Sequence, residues 1–323
     1  LGRSPSMKKI FMLIRRAAPH DSPVLILGES GCGKELAARE IHRLSSRSRG
    51  PLVPVSCANI NRDIQESEFF GHERGAFTGA DRKRIGLFET AAGGTIFLDE
   101  IAECAPATQA ALLRVLQEGE IRPAGSSVPI KIDVRVIAAT NVDLEKAAAA
   151  GTFRSDLYYR LSRLVIGMPP LRERPQDIVM LAERILEKTC ERLRRPDRQY
   201  SPRALEMLLS YRWPGNVREL ENLSEKVALF TPRPIVRPVD LQELDGWDWS
   251  KAATVATLDE MERRHIKEVL AMTEGNYKQA AILLGIPRST LYRKVRRFDL
   301  APAPGARGTP RLLTSPRLPR ANL

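Results

Sequence analysis

Gly28-Glu29-Ser30-Gly31-Cys32-Gly33-Lys34-Glu35 follows the apolar run Val24-Leu25-Ile26-Leu27 and leads into Leu36-Ala37-Ala38-Arg39-Glu40-Ile41, which has a helical pattern. Strand, glycine-rich turn and helix are the context of a phosphate-binding loop. The glycines let successive backbone N–H groups turn inward on a phosphate, and the helix N-terminus adds its partial positive charge. Lys34 would reach the outer phosphates. Gly28, Glu29, Ser30, Gly31, Cys32, Gly33, Lys34 and Glu35 are therefore the candidate nucleotide contacts. Glu35 departs from the general pattern, standing where a Ser or Thr hydroxyl usually helps hold magnesium.

Outward from the loop, apolar runs alternate with helical patterns. Met7, Ile10, Phe11, Ile14 and Ala17 predict a first helix. Leu52-Val53-Pro54-Val55 suits a strand that Pro54 weakens. Thr95-Ile96-Phe97-Leu98 is a strand ending in Asp99-Glu100. A helix is expected over 106–118, a turn or hairpin over 119–129, and a strand over 134–139 that ends in Thr140-Asn141. Strands alternating with helices imply an α/β fold with a parallel sheet. Asp99 can hold magnesium, through water, and Glu100 can polarise the attacking water. Asn141 would place a polar side chain between that water and the terminal phosphate. Arg154 and Arg160, in Phe153-Arg154-Ser155-Asp156-Leu157-Tyr158-Tyr159-Arg160-Leu161, read either as surface arginines in salt bridges or as cations offered to a neighbouring chain's terminal phosphate. Arg218 opens a helix after Pro214-Gly215-Asn216 and could report the nucleotide to the helical region around it, or form a structural ion pair.

The chain divides into an α/β unit over 1–170, a small all-helical unit over 171–231, a proline-containing linker over 232–256, a helical DNA-binding unit over 257–300 and a basic tail over 301–323 expected to be disordered. Thr257 with Glu260 makes a capping box. Residues 276–295 read as a helix-turn-helix, with Ala281 and Leu284 facing Leu291 and Val295, Gly285 in the turn and Pro287 opening the second helix. Arg288, Ser289, Thr290 and Arg293 would reach base edges in the major groove. Lys294, Arg296 and Arg297 would contact phosphates, and Lys278 and Tyr292 complete the candidate DNA contacts. Leu258, Met261, Ile266, Val269 and Leu270 are expected to pair two such units on a two-fold-related site.

The 323 residues, 43% of them hydrophobic, suffice for two or three domains, and a net charge of +12 favours an anionic partner, nucleic acid before membrane. The four cysteines, Cys32, Cys57, Cys104 and Cys190, lack metal-ligand spacing and read as reduced cytoplasmic thiols. No apolar run approaches membrane-spanning length. The first residue is Leu1 rather than Met, as expected for a piece of a longer protein.

Together these stretches closely resemble the sigma-54-dependent bacterial transcription activators of the AAA+ class. The resemblance rests on residues 28–35, Phe70-Gly71-His72-Glu73-Arg74-Gly75-Ala76-Phe77-Thr78-Gly79-Ala80, 93–100, 139–141, 156–161, 171–178 and Trp213-Pro214-Gly215-Asn216-Val217-Arg218-Glu219-Leu220. The C-terminal segment resembles the Fis-type DNA-binding domain. The resemblance implies a hexameric ring ATPase using ATP and Mg2+, in which Gly75, Ala76, Phe77, Thr78, Gly79 and Ala80 contact the sigma-54 factor of RNA polymerase. Hydrolysis would move that loop and open a closed promoter complex from an upstream site. It also implies that Arg154 and Arg160 act in a neighbour's site. Three departures bear on mechanism: Ser56 where the family commonly has Asn, Ser155 where it has Glu, and Cys32 where it has Thr. Rival readings are a DNA-binding regulator with a vestigial ATPase, and a AAA+ ring that remodels something else.

Overall fold

The computed structural model describes residues 2–77, 80–249, 258–273, 275–298 and 300. Contacts divide the chain into two units, 1–252 and 253–323.

The first unit is built on a five-stranded parallel sheet of order β2-β3-β6-β1-β7, comprising β1 (Val24–Leu27), β2 (Leu52–Ser56), β3 (Thr95–Asp99), β6 (Arg135–Thr140) and β7 (Leu164–Gly167). Successive residues point to opposite faces, and both faces are covered, so the central strands are apolar along their middles, with polar residues only at the ends of β3 and β6. Val24, Ile26, Phe97, Ile137 and Ile166 pack against α1 (Pro5–Ala17) and α2 (Lys34–Arg43). Leu25, Ile96, Leu98, Val136 and Ala138 form the other core, with α3 (Gln65–Phe70), α4 (Leu87–Thr90), α5 (Pro106–Glu118), α6 (Leu144–Ala149) and α7 (Ser155–Leu161). Pro54 is tolerated because β2 lies at the sheet edge, where a missing N–H breaks no ladder. Gly119, at φ 69°, ends α5 and leads into the short hairpin of β4 (Glu120–Ile121) and β5 (Ile130–Lys131). The sequence reading did not identify β7, whose four residues have only one fully buried side chain.

The helical part of this unit contains α8 (Pro175–Leu193), α9 (Pro202–Ser210) and α10 (Asn216–Phe230), with a two-stranded parallel pair, β8 (Gln199–Tyr200) and β9 (Ile235–Val236), and α11 (Pro238–Gln242). This corrects the expected linker over 232–256 as far as residue 249. Val236 and Leu241 are fully buried with Trp213 and Leu223, and Trp249 Nε1 donates to the Leu241 carbonyl at 3.1 Å. Pro238, one of the prolines of that stretch, occupies the first turn of α11, where no N–H is needed.

The second unit comprises α12 (Leu258–Met272), α13 (Tyr277–Leu283) and α14 (Arg288–Arg297). Gly285, at φ 64°, makes the turn, and Leu291 and Val295 pack with Ala281 and Leu284. Ile266, Val269 and Leu270 do not form an outward pairing face; they fill this unit's own core with Ala280 and Leu300. A three-helix unit this small needs one face of α12 to close its interior. Thr257, the side chains of Leu258, Glu260 and Met261, and the tail over 301–323 lie outside the described residues.

Candidate functional site

Parallel registry brings the expected site together. Leu27 pairs with Thr140 across β1 and β6, and Leu98 pairs with Ala138 across β3 and β6. The phosphate loop, Asn141 and the Asp99-Glu100 pair therefore open on the same carboxyl edge of the sheet, the usual ligand edge of such folds. Gly31 and Gly33 take φ values of 74° and 102°, which side chains other than glycine rarely adopt. Lys34 Nζ donates to the Gly28 and Glu29 carbonyls at 2.8 and 3.1 Å, so its ammonium lies on the loop. Glu35 pairs its carboxylate with Arg39 one turn along α2 at 2.6 Å. Cys32 is buried, and burial pushes its thiol pKa up, as suits an inert thiol rather than a reactive one.

Glu29 and Ser30 face the helical region. Arg172 donates two hydrogen bonds to the Glu29 carboxylate, at 2.7 and 2.6 Å, and Asn216 Nδ2 adds a third at 3.1 Å. The Arg172 hydrogen bonds hold the Glu29 carboxyl down at about 2, against an opposing desolvation effect. Arg218 Nη1 donates to Ser30 Oγ at 3.1 Å, and Val217 N donates to the Gly31 carbonyl at 3.0 Å. The candidate reporter Arg218 thus sits on the phosphate loop, while Arg172 and Asn216, which the sequence reading left without a role, hold the same loop. Beside it lies a cavity of about 590 Å³, lined by Phe11, Gly33, Met168, Arg174, Ile185 and Val217 among others. Arg174 is buried there, donating to the Cys32 carbonyl at 2.9 Å.

Asp99 Oδ1 accepts from the Glu100 N–H at 3.0 Å. Glu100 has φ 56°, a left-handed backbone that costs a residue with a side chain about 1–3 kcal/mol and marks the turn after β3 as constrained. Ser56 stands opposite Asp99 at the end of β2. Gln65, fully buried at the start of α3, bridges the turns that follow β2 and β3. Its Nε2 donates to the Cys57 and Glu103 carbonyls at 3.0 and 3.3 Å, and its Oε1 accepts from Ala105 N at 2.8 Å. A polar residue at the head of an amphipathic stretch was the available signal, and it went unread.

From α3 the chain enters the glycine-rich loop. His72 Nδ1 bonds Ser67 Oγ at 2.7 Å, and Phe77 lays its ring edge-on to His72 at 5.0 Å while remaining 45% exposed. Gly75 N donates to the Ala80 carbonyl at 2.8 Å, closing the base of the loop. Ala76 rests on Gly125, where an added Cβ would come within 2.8 Å of the Ala76 Cβ. Thr78 and Gly79 lie outside the described residues. On α7, Arg154 pairs with Asp156 at 2.8 Å, and Arg160 Nε donates to the Leu116 carbonyl at 3.0 Å. Neither bonds to the phosphate loop of its own chain.

In the second unit Lys278, Arg288, Ser289, Tyr292, Arg293, Arg296 and Arg297 are exposed, and Thr290 is half-buried. Lys294 is the exception among the candidate DNA contacts. Its ammonium pairs with Glu262 of α12 at 2.6 Å, and its side chain, drawn back toward α12, is only 23% exposed.

Residues 1–167 match the Sigma-54 interaction domain, 172–246 the AAA+ ATPase lid domain, and 257–298 the Fis family of bacterial regulatory proteins. Transcriptional regulatory protein ZraR of Klebsiella oxytoca is 45% identical over 302 residues, which are 92% of this chain and 68% of that protein. The Nif-specific regulatory protein of Azotobacter vinelandii is also 45% identical, over 91% of this chain and 58% of its own length. Among solved structures, NtrX from Brucella abortus in complex with ATP superposes with a TM-score of 0.68 at 33% identity, covering 93% of this chain and 69% of NtrX. Among the described residues no helix is long and apolar enough to cross a membrane. The order of the matched domains and the identity along nine-tenths of the chain agree, and the chain belongs to the sigma-54-dependent transcriptional activators of the AAA+ ATPase family.

Proposed function

We propose that the chain binds DNA upstream of a promoter and uses ATP hydrolysis, in a ring of six copies, to convert sigma-54 RNA polymerase from a closed to an open complex. The observation that carries this reading is the Gln65 bridge. It ties the turns that follow β2 and β3, the latter through Glu103, whose N–H donates to the Glu100 carbonyl at 2.9 Å, to the helix from which the Phe77 loop springs. A change at the nucleotide edge thereby has a bonded route to an exposed aromatic suited to a protein contact. Support for ATP as the nucleotide comes from the ATP and ADP complexes of NtrX and from the cavity beside Gly33, large enough for a purine.

In this mechanism the loop N–H groups and Lys34 bind the phosphates. Asp99, a half-buried carboxylate at the sheet edge whose Oδ2 has no hydrogen-bond partner among the described residues, fits a magnesium ion held through water, which would neutralise charge on the phosphates. Glu100 polarises the attacking water and Asn141 orients it. Arg218 senses the phosphates from the lid, and Arg154 and Arg160 serve the neighbouring copy. Residues 75–80, including Thr78 and Gly79, contact sigma-54, and Arg288, Ser289, Thr290 and Arg293 read the DNA.

In-vitro transcription from a sigma-54 promoter tests the proposal. Wild type with ATP should open the promoter. Phe77→Ala should hydrolyse ATP without opening it, and Glu100→Gln should do neither. If no protein opens the promoter while specific DNA binding is intact, the chain is a regulator without remodelling activity.

A further inference from the structure

Tyr292 is exposed on α14 yet is held on two sides. Its ring stacks on Tyr277, at the first turn of α13, with centroids 4.6 Å apart and planes 7° from parallel. On another side the Arg288 guanidinium lies 5.5 Å from the same ring, and Arg288 Nη2 donates to the Tyr292 hydroxyl at 3.1 Å. Arg288 and Tyr292 are four residues apart on one helix face, so the pair is locally favoured. Tyr277 comes from the other helix of the motif and fixes where that pair can stand. Asn276 accepts from the N–H groups of Lys278 and Gln279, which pins the turn carrying Tyr277. Arg288 Nε and Nη1 donate to no partner among the described residues, so both groups are left for a ligand.

A long arginine on a recognition helix ordinarily loses rotamer freedom when it reads a base. Here a ring and a hydroxyl have already removed that freedom. Arginine reads guanine best, through its O6 and N7 acceptors in the major groove. We propose that the Tyr277–Tyr292 stack is a positioning element that fixes Arg288 as a guanine reader, so that sequence preference at one base pair depends on a tyrosine outside the recognition helix. The proposal rests on the reading of the second unit as a DNA-binding domain. Burial and the neighbouring Tyr292 push the Tyr277 phenol pKa up, so this ring stays neutral at physiological pH and acts through its face.

The test is selection of binding sites by the full chain from a randomised duplex library, followed by affinity for the selected duplex and for a scrambled one. Wild type should enrich a motif that contains a guanine whose enrichment Arg288→Ala abolishes. Tyr277→Leu should lower preference at that same base pair by about 2- to 5-fold, the range of an exposed cation–π contact, and leave scrambled-duplex affinity unchanged. Tyr292→Phe, which keeps the ring and removes the hydroxyl, should give a smaller loss at the same position, whereas Tyr277→Phe should match wild type. Failure of wild type to enrich any motif would remove the DNA-binding reading itself. If a motif is enriched but Tyr277→Leu leaves the Arg288-dependent position intact, or weakens both duplexes equally, the positioning role is wrong. Equal loss in Tyr277→Phe would assign the phenol hydroxyl a direct contact and overturn it too.

Discussion

Glu29 divides its parts between two partners: its backbone N–H is the candidate phosphate contact, while its carboxylate is taken by Arg172 and Asn216. Its folded pKa, about 2, lies below the ordinary 4.5. The pair therefore contributes stability that is fully present above pH 4.5 and is lost as pH falls toward 2. Denaturant unfolding across that acid window should show a weaker pH dependence for Glu29→Gln than for wild type, with the two curves parallel at neutral pH. Both side chains are about two-fifths exposed, so the neutral-pH contribution is small. Lys294, expected on a phosphate, is likewise paired within its own unit, with Glu262. Counterion release scales with phosphates neutralised. Fluorescence anisotropy against salt should therefore give Arg296→Ala a log–log slope shallower by about 1, and Lys294→Ala the wild-type slope. Neither pairing was legible in the sequence, because the partners are 143 and 32 residues away and no local pattern marks them.

At the scale of elements, legibility followed burial on both sides. β1, β3 and β6 were readable because each is an apolar run sandwiched between two helical layers. β7 and β9 were not, being short edge strands with partly exposed side chains. The prolines and missing periodicity of 232–256 suggest a linker, and only tertiary packing shows that Val236 and Leu241 close the lid core. The element that matters most for mechanism is α3. Its Gln65 joins backbone groups from two stretches, 57–60 and 103–105, so Gln65→Leu leaves three carbonyls and one N–H without their partner. This variant should keep ATP hydrolysis near wild type while promoter opening per ATP falls by about 2- to 30-fold, as for a coupling of 0.5–2 kcal/mol. Parallel assays of phosphate release and transcript yield measure that ratio. If both fall together, Gln65 supports the ATPase centre alone.

Across the whole molecule, the sequence motifs gave the order of parts correctly. The interfaces between parts escaped them, since these depend on contacts between residues far apart in the chain. The expectation that α12 pairs two copies failed for Ile266, Val269 and Leu270, since a hydrophobic stripe has the same appearance whether it faces its own core or a second chain. The seam between phosphate loop and lid has a further consequence. Asn216 accepts from Leu171 N at 2.7 Å and donates to Ser30 O at 3.0 Å, while Val217 N bonds Gly31 O. A joint so fully bonded is not a weak boundary on heating. Scanning calorimetry should record one endotherm for the α/β layer and the lid together, with matching calorimetric and van't Hoff enthalpies. ATP should raise that single midpoint rather than move a lid transition alone. Asn216→Ala should split the endotherm in two, and the lower-melting half would then report how much of the lid's order is borrowed from the phosphate loop.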